Sequence, residues 1–429
     1  MSRENVPPAP GIDATRVIAD LRRLDRRTGG PDGAQRLCWG EGWRAAREFL
    51  TAELGELGVE PEADEAGNLW ARLPGADRDA PALGVGSHLD SVPDGGWLDG
   101  ALGVMAALGV LRAWASSAEP PPRDLVLIDF ADEEGARFGR SLFGSSALAG
   151  TLEAEDLGDL RDSDGNPIGE ALAANGVDLG RAPEARRRLG GLGSYLELHI
   201  EQGPVLESEG CSCSAVSGCA GVERHRLRFD GQAAHAGTTP MESRRDAGLA
   251  AAETALAIER IARDHGGVGT TGQLRLEPGI VTAIAGRAEL SVDLRHPLAE
   301  PLEEMLSEAL AAAANAADSH RCVLAGEPIW RIEPIPFDPH LVGLARAAAA
   351  GQAGGRADPL ASGALHDAAE LARQIPVAMT FVASRDGISH AREEDSSDAD
   401  LTAGIEAFGA LVEGVLDAGP RPVPRPTGI

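Results

Sequence analysis

Two periods of apolar residues alternate along this chain, and they divide it into recognisable elements. Near the N-terminus, Val17, Ile18 and Leu21 follow the capping run Asp13-Ala14-Thr15 and predict a helix over residues 13–29. A second helix is expected over 41–57, ending at Gly58. Three strand-like segments follow, at 68–73, 82–86 and 124–130, with a helix from Ala101 to Ser116 between the second and third. The run Leu125–Phe130 is apolar apart from Asp129, as expected of a strand covered on both faces in a mostly parallel sheet. This is βαβ patterning, and such sheets carry their chemistry beyond the carboxyl ends of the strands. His88, Asp90, Glu133 and Glu134 all fall there.

Residues 151–192 are polar, Gly-rich and acidic, with helix-like pieces, and strand character resumes at Leu196–Ile200. From Val222 the period changes to two, which predicts a half-exposed antiparallel strand. Beyond it come a helix (Arg244–His265), strands at 273–276, 279–284 and 288–295, a helix (Leu302–Ala316) and a strand at 329–332. The order β-α-β-β-α-β resembles a ferredoxin-like module. Residues 338–429 return to helix and buried strand, most clearly at Val377–Val382. The expected fold is therefore α/β, with a central mixed, mostly parallel sheet and an inserted α+β domain. The expected boundaries are 1–218 and 333–418 for the catalytic domain and 219–332 for the insert. The proline-rich tail 419–429 is expected to be disordered.

Composition narrows the function. With 43% apolar and 25% charged residues the chain reads as an ordinary globular enzyme. The net charge of −28 argues against nucleic acid as a partner. The sequence contains neither a long apolar run of membrane-spanning length nor an apolar N-terminal leader. Five cysteines, few and odd in number, suit a reduced cytoplasmic protein, and Cys211-Ser212-Cys213 lacks a second pair to complete a metal set. All 39 basic residues are arginine. Schiff-base chemistry, a phosphate-loop lysine and a dinuclear centre bridged by carbamylated lysine are thereby excluded. A catalytic base must be a carboxylate, His, Tyr or Cys, and Tyr195 is the one tyrosine.

The ligand chemistry is concentrated in five short segments: His88-Leu89-Asp90 with Asp99, Asp132-Glu133-Glu134, His199 with Glu201, His235, and Ser389-His390. Four His, a carboxylate able to bridge and a Glu–Glu pair are the inventory of a two-metal hydrolytic site with its own base. Each member also has a plain reading. Asp99 would serve equally as an N-cap, the Glu pair as a solvated loop, and His199 as a core histidine. Arg295, in Asp293-Leu294-Arg295-His296-Pro297, would clamp a carboxylate in bidentate fashion or pair with a surface acid. Gly267–Gly272 matches the spacing of a dinucleotide fingerprint but follows a helix rather than a strand, so it is expected to be a loop.

These segments resemble the carbamoylase branch of the dinuclear-metal aminoacylase and carboxypeptidase superfamily, which holds N-carbamoyl-L-amino-acid hydrolases, allantoate amidohydrolases and β-ureidopropionases. The resemblance runs from the Trp39–Gly67 region to about residue 412 and rests on GSHLDSVPDGGWLDGALGV, DEEGARFG, LELHIEQGPVLE, GQAAHAGTTPM, DLRHP and SHAREE. It implies a zinc-exopeptidase-like catalytic domain with an inserted lid and dimerisation domain. It implies His88, Asp99, Glu134, His199 and His390 as ligands of two divalent metals, zinc first, with manganese, cobalt or nickel also suited. Asp99 would bridge, Glu133 would be the general base and Asp90 would support His88. His235 would stabilise the oxyanion from the neighbouring subunit of a homodimer. Arg295 would hold the substrate carboxylate, with Gln202, Thr282, Ser362 and Gly363 around it. The implied reaction is hydrolysis of the C–N bond of a ureido amino acid by a metal-bridged hydroxide. An aminoacylase or dipeptidase is the alternative, and a metal-free non-catalytic homologue the remote one. His at 199 and WLDGALG favour the ureido-cleaving branch. The chain departs from the pattern at Thr282, where the family has Asn, and at Leu365, where it has Gly.

Overall fold

The computed structural model describes residues 10–419, and the chain divides into two compact units. The proline-rich tail from residue 420 onward lies outside the described residues. The first unit comprises the residues up to Ser217 together with Phe337–Leu360 and the residues from Leu365; the second comprises Gly218–Pro336 and Ala361–Ala364.

The first unit is built on a mixed sheet. Four strands run parallel at its centre in the order Leu125–Phe130, Ala82–His88, Leu192–Ile200, Val377–Val382. Antiparallel strands flank them, Leu69–Leu73 beside the first and Cys213–Cys219 beside the last. Every residue of the four central strands is buried, which is why their sequences do not alternate. The helix Ala101–Ala115 is buried from Ala101 to Arg112 and packs with helices Ala14–Thr28 and Asp398–Ala418. Other side chains, among them Trp39, Trp43 and Phe143, form a separate apolar cluster. Because the four strands are parallel, their carboxyl ends share one edge of the sheet, and all the loops that follow converge there.

Local signals set the element ends. Asp13 caps the first helix by accepting the N–H of Arg16, and Gly58 turns the chain at φ 69°. The strand expected over 82–86 extends to His88, whose backbone pairs with Phe130. The polar stretch 151–192 is more ordered than its composition suggests. It folds into short helical turns, and Leu157, Ile168, Leu172 and Val177 enter the cluster around Trp39.

The second unit is an antiparallel sheet covered on one side by the helices Ala247–His265 and Ala299–Ser319. From edge to edge its order is Val323–Ile332, Gly221–Asp230, Arg287–His296, and then Val268–Thr270 and Leu274–Glu277 end to end along the same edge of Arg287–His296. Two expectations need correction. The strand expected over 279–284 is reduced to Ala283–Ile284, because Gly279 turns the chain at φ 67°. The Gly267–Gly272 segment, expected as a loop, contains the strand Val268–Thr270, which pairs with Asp293–Arg295. Glycine-rich composition hid a pairing that only the neighbouring strand supplies.

Candidate metal centre

The loops at the sheet edge bring eight of the expected residues together. His88 ends its strand, Asp99 precedes the Ala101–Ala115 helix, and Glu133 and Glu134 follow the Leu125–Phe130 strand. His199 lies one residue before the end of its strand, and Gln202 and His390 arrive on the loops beyond. In these loops Asp132, Gln202 and His390 sit at positive φ (57°, 57° and 56°), as do Asp94 and Asp386 (both 56°), a conformation that concentrates at functional sites. Gly100 is indispensable for space: at φ 62° it lies under the His88 ring, and a Cβ there would come within 2.3 Å of it.

Asp99 stands at the centre. Its Oδ1 is 3.2 Å from His199 Nε2 and 3.6 Å from His88 Nε2; its Oδ2 is 3.4 Å from His390 Nε2. Glu134 Oε2 lies 3.5 Å from the same His390 nitrogen, and Glu133 Oε2 lies 3.7 Å from His88 Nε2. Two triads of potential ligands result, His88–Asp99–His199 and Asp99–Glu134–His390, and Asp99 belongs to both. The N-cap alternative for Asp99 is not realised, since Gly100 takes that position. Nor is the Glu pair a solvated loop, because Glu133 is buried.

The donor set suits metal ions. His88 Nδ1 meets the carbonyl of Asp90 at 3.1 Å and His199 Nδ1 meets that of Ile200 at 2.9 Å. A ring nitrogen facing a carbonyl carries the proton, which leaves Nε2 as the lone-pair nitrogen on each ring. Both Nε2 atoms are buried with no hydrogen-bond partner, as is Glu134 Oε1. The electrostatics ask for cations too. Burial and the neighbouring acids push Glu133 well above the usual carboxylate range, and they push Glu134 to about 8 and Asp132 to about 7. Burial alone would raise Asp99 as well, but the charge and hydrogen bonds that His199, His390 and His88 direct at it when protonated outweigh burial and hold it well below the usual range; a cation on the Nε2 atoms would take the place of those protons. Such an excess of buried carboxylate is what divalent cations neutralise.

Asp90 meets His88 through its backbone and the Glu133–Glu134 loop through its side chain. Its carboxylate is 3.7 Å from His88 Nδ1, whereas its carbonyl makes the hydrogen bond. The carboxylate accepts the backbone N–H groups of Glu133 (3.3 Å) and Glu134 (3.2 Å), pinning that loop. Gln202 donates to Asp99 Oδ2 at 2.7 Å.

The remaining expected residues belong to the second unit. His235 is exposed, and its Nδ1 accepts the N–H of Gly237 at 3.0 Å, which leaves Nε2 as the protonated nitrogen. The Thr282 carbonyl accepts the N–H of Ala236, so Thr282 braces the His235 turn through its backbone. Arg295 is held by Asp293 through Nε (2.9 Å) and by the carbonyl of Gly363 (2.7 Å), and Ser362 Oγ closes the turn to Ala364. Arg295 lines an open groove of about 1100 Å³ with Arg224, Arg226, Arg228 and Arg275. Two contributors to the metal centre were not expected from sequence, Ser389 as more than a neighbour of His390, and Glu394. Glu394 sits in the SHAREE motif, but nothing local in that motif distinguishes it from Glu393.

A mixed α/β sheet whose four central parallel strands carry, at their carboxyl ends, two ligand triads joined by one carboxylate, with a further buried glutamate beside them, defines a metal-dependent hydrolase. The chain belongs to peptidase family M20/M25/M40, which matches it over residues 84–414. It is 39% identical to an N-carbamoyl-L-amino acid amidohydrolase of Geobacillus stearothermophilus, over 91% of this chain and 95% of that protein. To an allantoate amidohydrolase of Bacillus subtilis (strain 168) it is 32% identical, over 89% and 92%. The crystal structure of a hydantoinase/carbamoylase family amidase from Burkholderia multivorans superposes with a TM-score of 0.87 at 33% identity, covering 97% of this chain and all of that one.

Proposed function

We propose that this protein hydrolyses the C–N bond of an N-carbamoyl or related ureido group on a small substrate that carries a carboxylate. The observation that carries the reading is the shared carboxylate, Asp99 in two ligand triads with Glu133 at their side. The similarity to amidohydrolases of N-carbamoyl amino acids and allantoate supports the bond class. His88, Asp99 and His199 would hold one divalent cation, and Asp99, Glu134 and His390 the other, with zinc, manganese, cobalt and nickel all suited to imidazole and carboxylate. When bound, the cations would polarise the substrate carbonyl and lower the pKa of water.

The chain's own residues supply the rest. Glu133 takes the proton from the attacking water and returns it to the leaving nitrogen. Asp90 keeps the Glu133–Glu134 backbone in place. His235 presents its Nε2–H to the developing oxyanion. Arg295, preorganised by Asp293 and Gly363, pairs with the substrate carboxylate, and Gln202, Thr282, Ser362 and Gly363 are the further substrate-binding residues of this reading. With a carbamoyl substrate the products are the amino acid, ammonia and carbon dioxide. Residues 219–332 form an inserted lid, between catalytic parts 1–218 and 333–418.

To test this reading, the metal-loaded protein would be assayed side by side on N-carbamoyl-L-amino acids, allantoate, N-acetyl amino acids and dipeptides. The ureido compounds are expected to give the highest kcat/KM with ammonia released; faster cleavage of dipeptides or N-acetyl amino acids would replace the reading with an exopeptidase or aminoacylase.

The lid also suggests a homodimer. Leu249 and Leu256 on the Ala247–His265 helix, Leu274 and Leu276 on the adjoining strand, and Val281, which is 99% exposed, form an apolar belt suited to a second copy. Light scattering should give twice the chain mass of 44.4 kDa for wild type and a monomer for the Leu256→Asp, Val281→Asp double variant. If His235 serves the neighbouring site, that monomer also loses turnover. A monomeric, fully active wild type would remove both the dimer and the trans role. No helix among the described residues is long and apolar enough to cross a membrane, and all five cysteines are free thiols, as in a cytoplasmic enzyme.

A further inference from the structure

The loop that carries Asp99 and the loop that carries His390 are far apart in sequence, and one side chain joins them. Glu394 is 2% exposed. Its Oε1 accepts the backbone N–H groups of Leu98 and Asp99, each at 3.0 Å. Its Oε2 lies 2.9 Å from Ser389 Oγ, and that hydroxyl is also 2.9 Å from Asp99 Oδ2. The carboxylate therefore grips the Asp99 segment by its backbone and the Ser389-His390 segment by its hydroxyl. The seat is specific: a Cβ on Gly96 would lie 1.9 Å from the Glu394 carboxyl carbon, so only glycine leaves room for it. Arg36, fully buried, ties the same stretch from its other side through the carbonyls of Leu89 (2.8 Å) and Gly96 (3.4 Å).

We infer that Glu394 is a positioning residue that locks the Asp99 loop to the His390 loop and so sets how tightly the Asp99–Glu134–His390 triad holds its metal, an inference that rests on the two-metal reading. Glu394 belongs to neither ligand triad. Its influence runs through the placement of Asp99 and His390, as partners behind metal ligands commonly act.

The test is a titration of metal-stripped protein with zinc or manganese alone, following bound metal by equilibrium dialysis and elemental analysis. His390→Ala identifies which equivalent belongs to the exposed triad. Glu394→Ala is expected to weaken that same equivalent by about 10- to 100-fold and the other by clearly less. Glu394→Gln should bind nearly as wild type, since its carboxamide oxygen still accepts the two N–H groups and its NH2 donates to Ser389. Gly96→Ala, which evicts the carboxylate without altering it, should copy Glu394→Ala. Ser389→Ala should shift binding in the same direction by less, and it carries the test should the buried variants fail to fold. Unchanged affinities in Glu394→Ala would overturn the inference, as would Glu394→Gln proving as damaged as Glu394→Ala. A wild-type protein that takes up one equivalent overturns the two-metal reading instead; the clamp is then judged by whether Glu394→Ala weakens that single equivalent.

Discussion

Glu133→Gln is expected to fold, to bind its metals and to lose turnover by about 10²- to 10⁴-fold, the range that a positioned general base contributes. The substitution keeps the size of a buried side chain and leaves the backbone N–H of Glu133 donating to Asp90, so packing and loop position are preserved. Glu133 stands in neither ligand triad, although its Oε2 comes within 3.7 Å of His88 Nε2. A carboxamide accepts hydrogen bonds at that position but cannot carry a proton from water to a leaving nitrogen. The loss should therefore fall on kcat, with KM little changed. Glu134→Gln provides the contrast: it removes a charged member of the second triad and should cost metal occupancy first. Elemental analysis and steady-state ammonia release on the same preparations separate the two. Near-normal turnover in fully loaded Glu133→Gln would remove Glu133 as the base.

Much of this site was legible because the sheet made it so. A parallel βαβ pattern sends every following loop to one edge, and His88, Asp90, Glu133 and Glu134 could be placed there from strand ends alone. The missing lysine excluded one dinuclear architecture before any geometry was known. What sequence left open were relations between loops. Asp99 reads equally as a cap or a ligand until His199 and His390 are seen on either side of its carboxylate. Asp90 is expected to support His88, but the HLD segment does not say through which group; the backbone carbonyl makes the bond. Glu394 escaped notice because its partners, Leu98 and Asp99, are nearly three hundred positions upstream and are backbone groups, which have no signature in a sequence. In the second unit, periodicity found the long strands Gly221–Asp230 and Arg287–His296 but not Val268–Thr270, which has too few residues to show a period.

Stripping the metals should abolish turnover and lower thermal stability, and Asp99→Asn should reproduce both effects in the presence of metal. A ligand that binds only the folded state stabilises it by about 4 kcal/mol at a free concentration of 1,000 times its Kd, and the triads exist only in the folded chain. Chelated wild type should therefore melt several degrees lower and recover on re-addition of zinc or manganese. The size of the Asp99 effect follows from its position. It is shared by both triads, so a neutral carboxamide removes a charged ligand from each at once, next to His88 and His199 rings whose Nε2 atoms have no other partner. His390→Ala, by contrast, touches one triad and should leave one equivalent bound. The expected order is thus two equivalents for wild type, one for His390→Ala and none for Asp99→Asn, with metal-dependent stabilisation falling in the same order. Asp99→Asn that is stabilised by metal as strongly as wild type would mean that the carboxylate does not join the two sites; full turnover after exhaustive chelation would mean that they are not metal sites at all. Because stoichiometry and melting are read without substrate, this result stands or falls independently of which ureido compound the enzyme prefers.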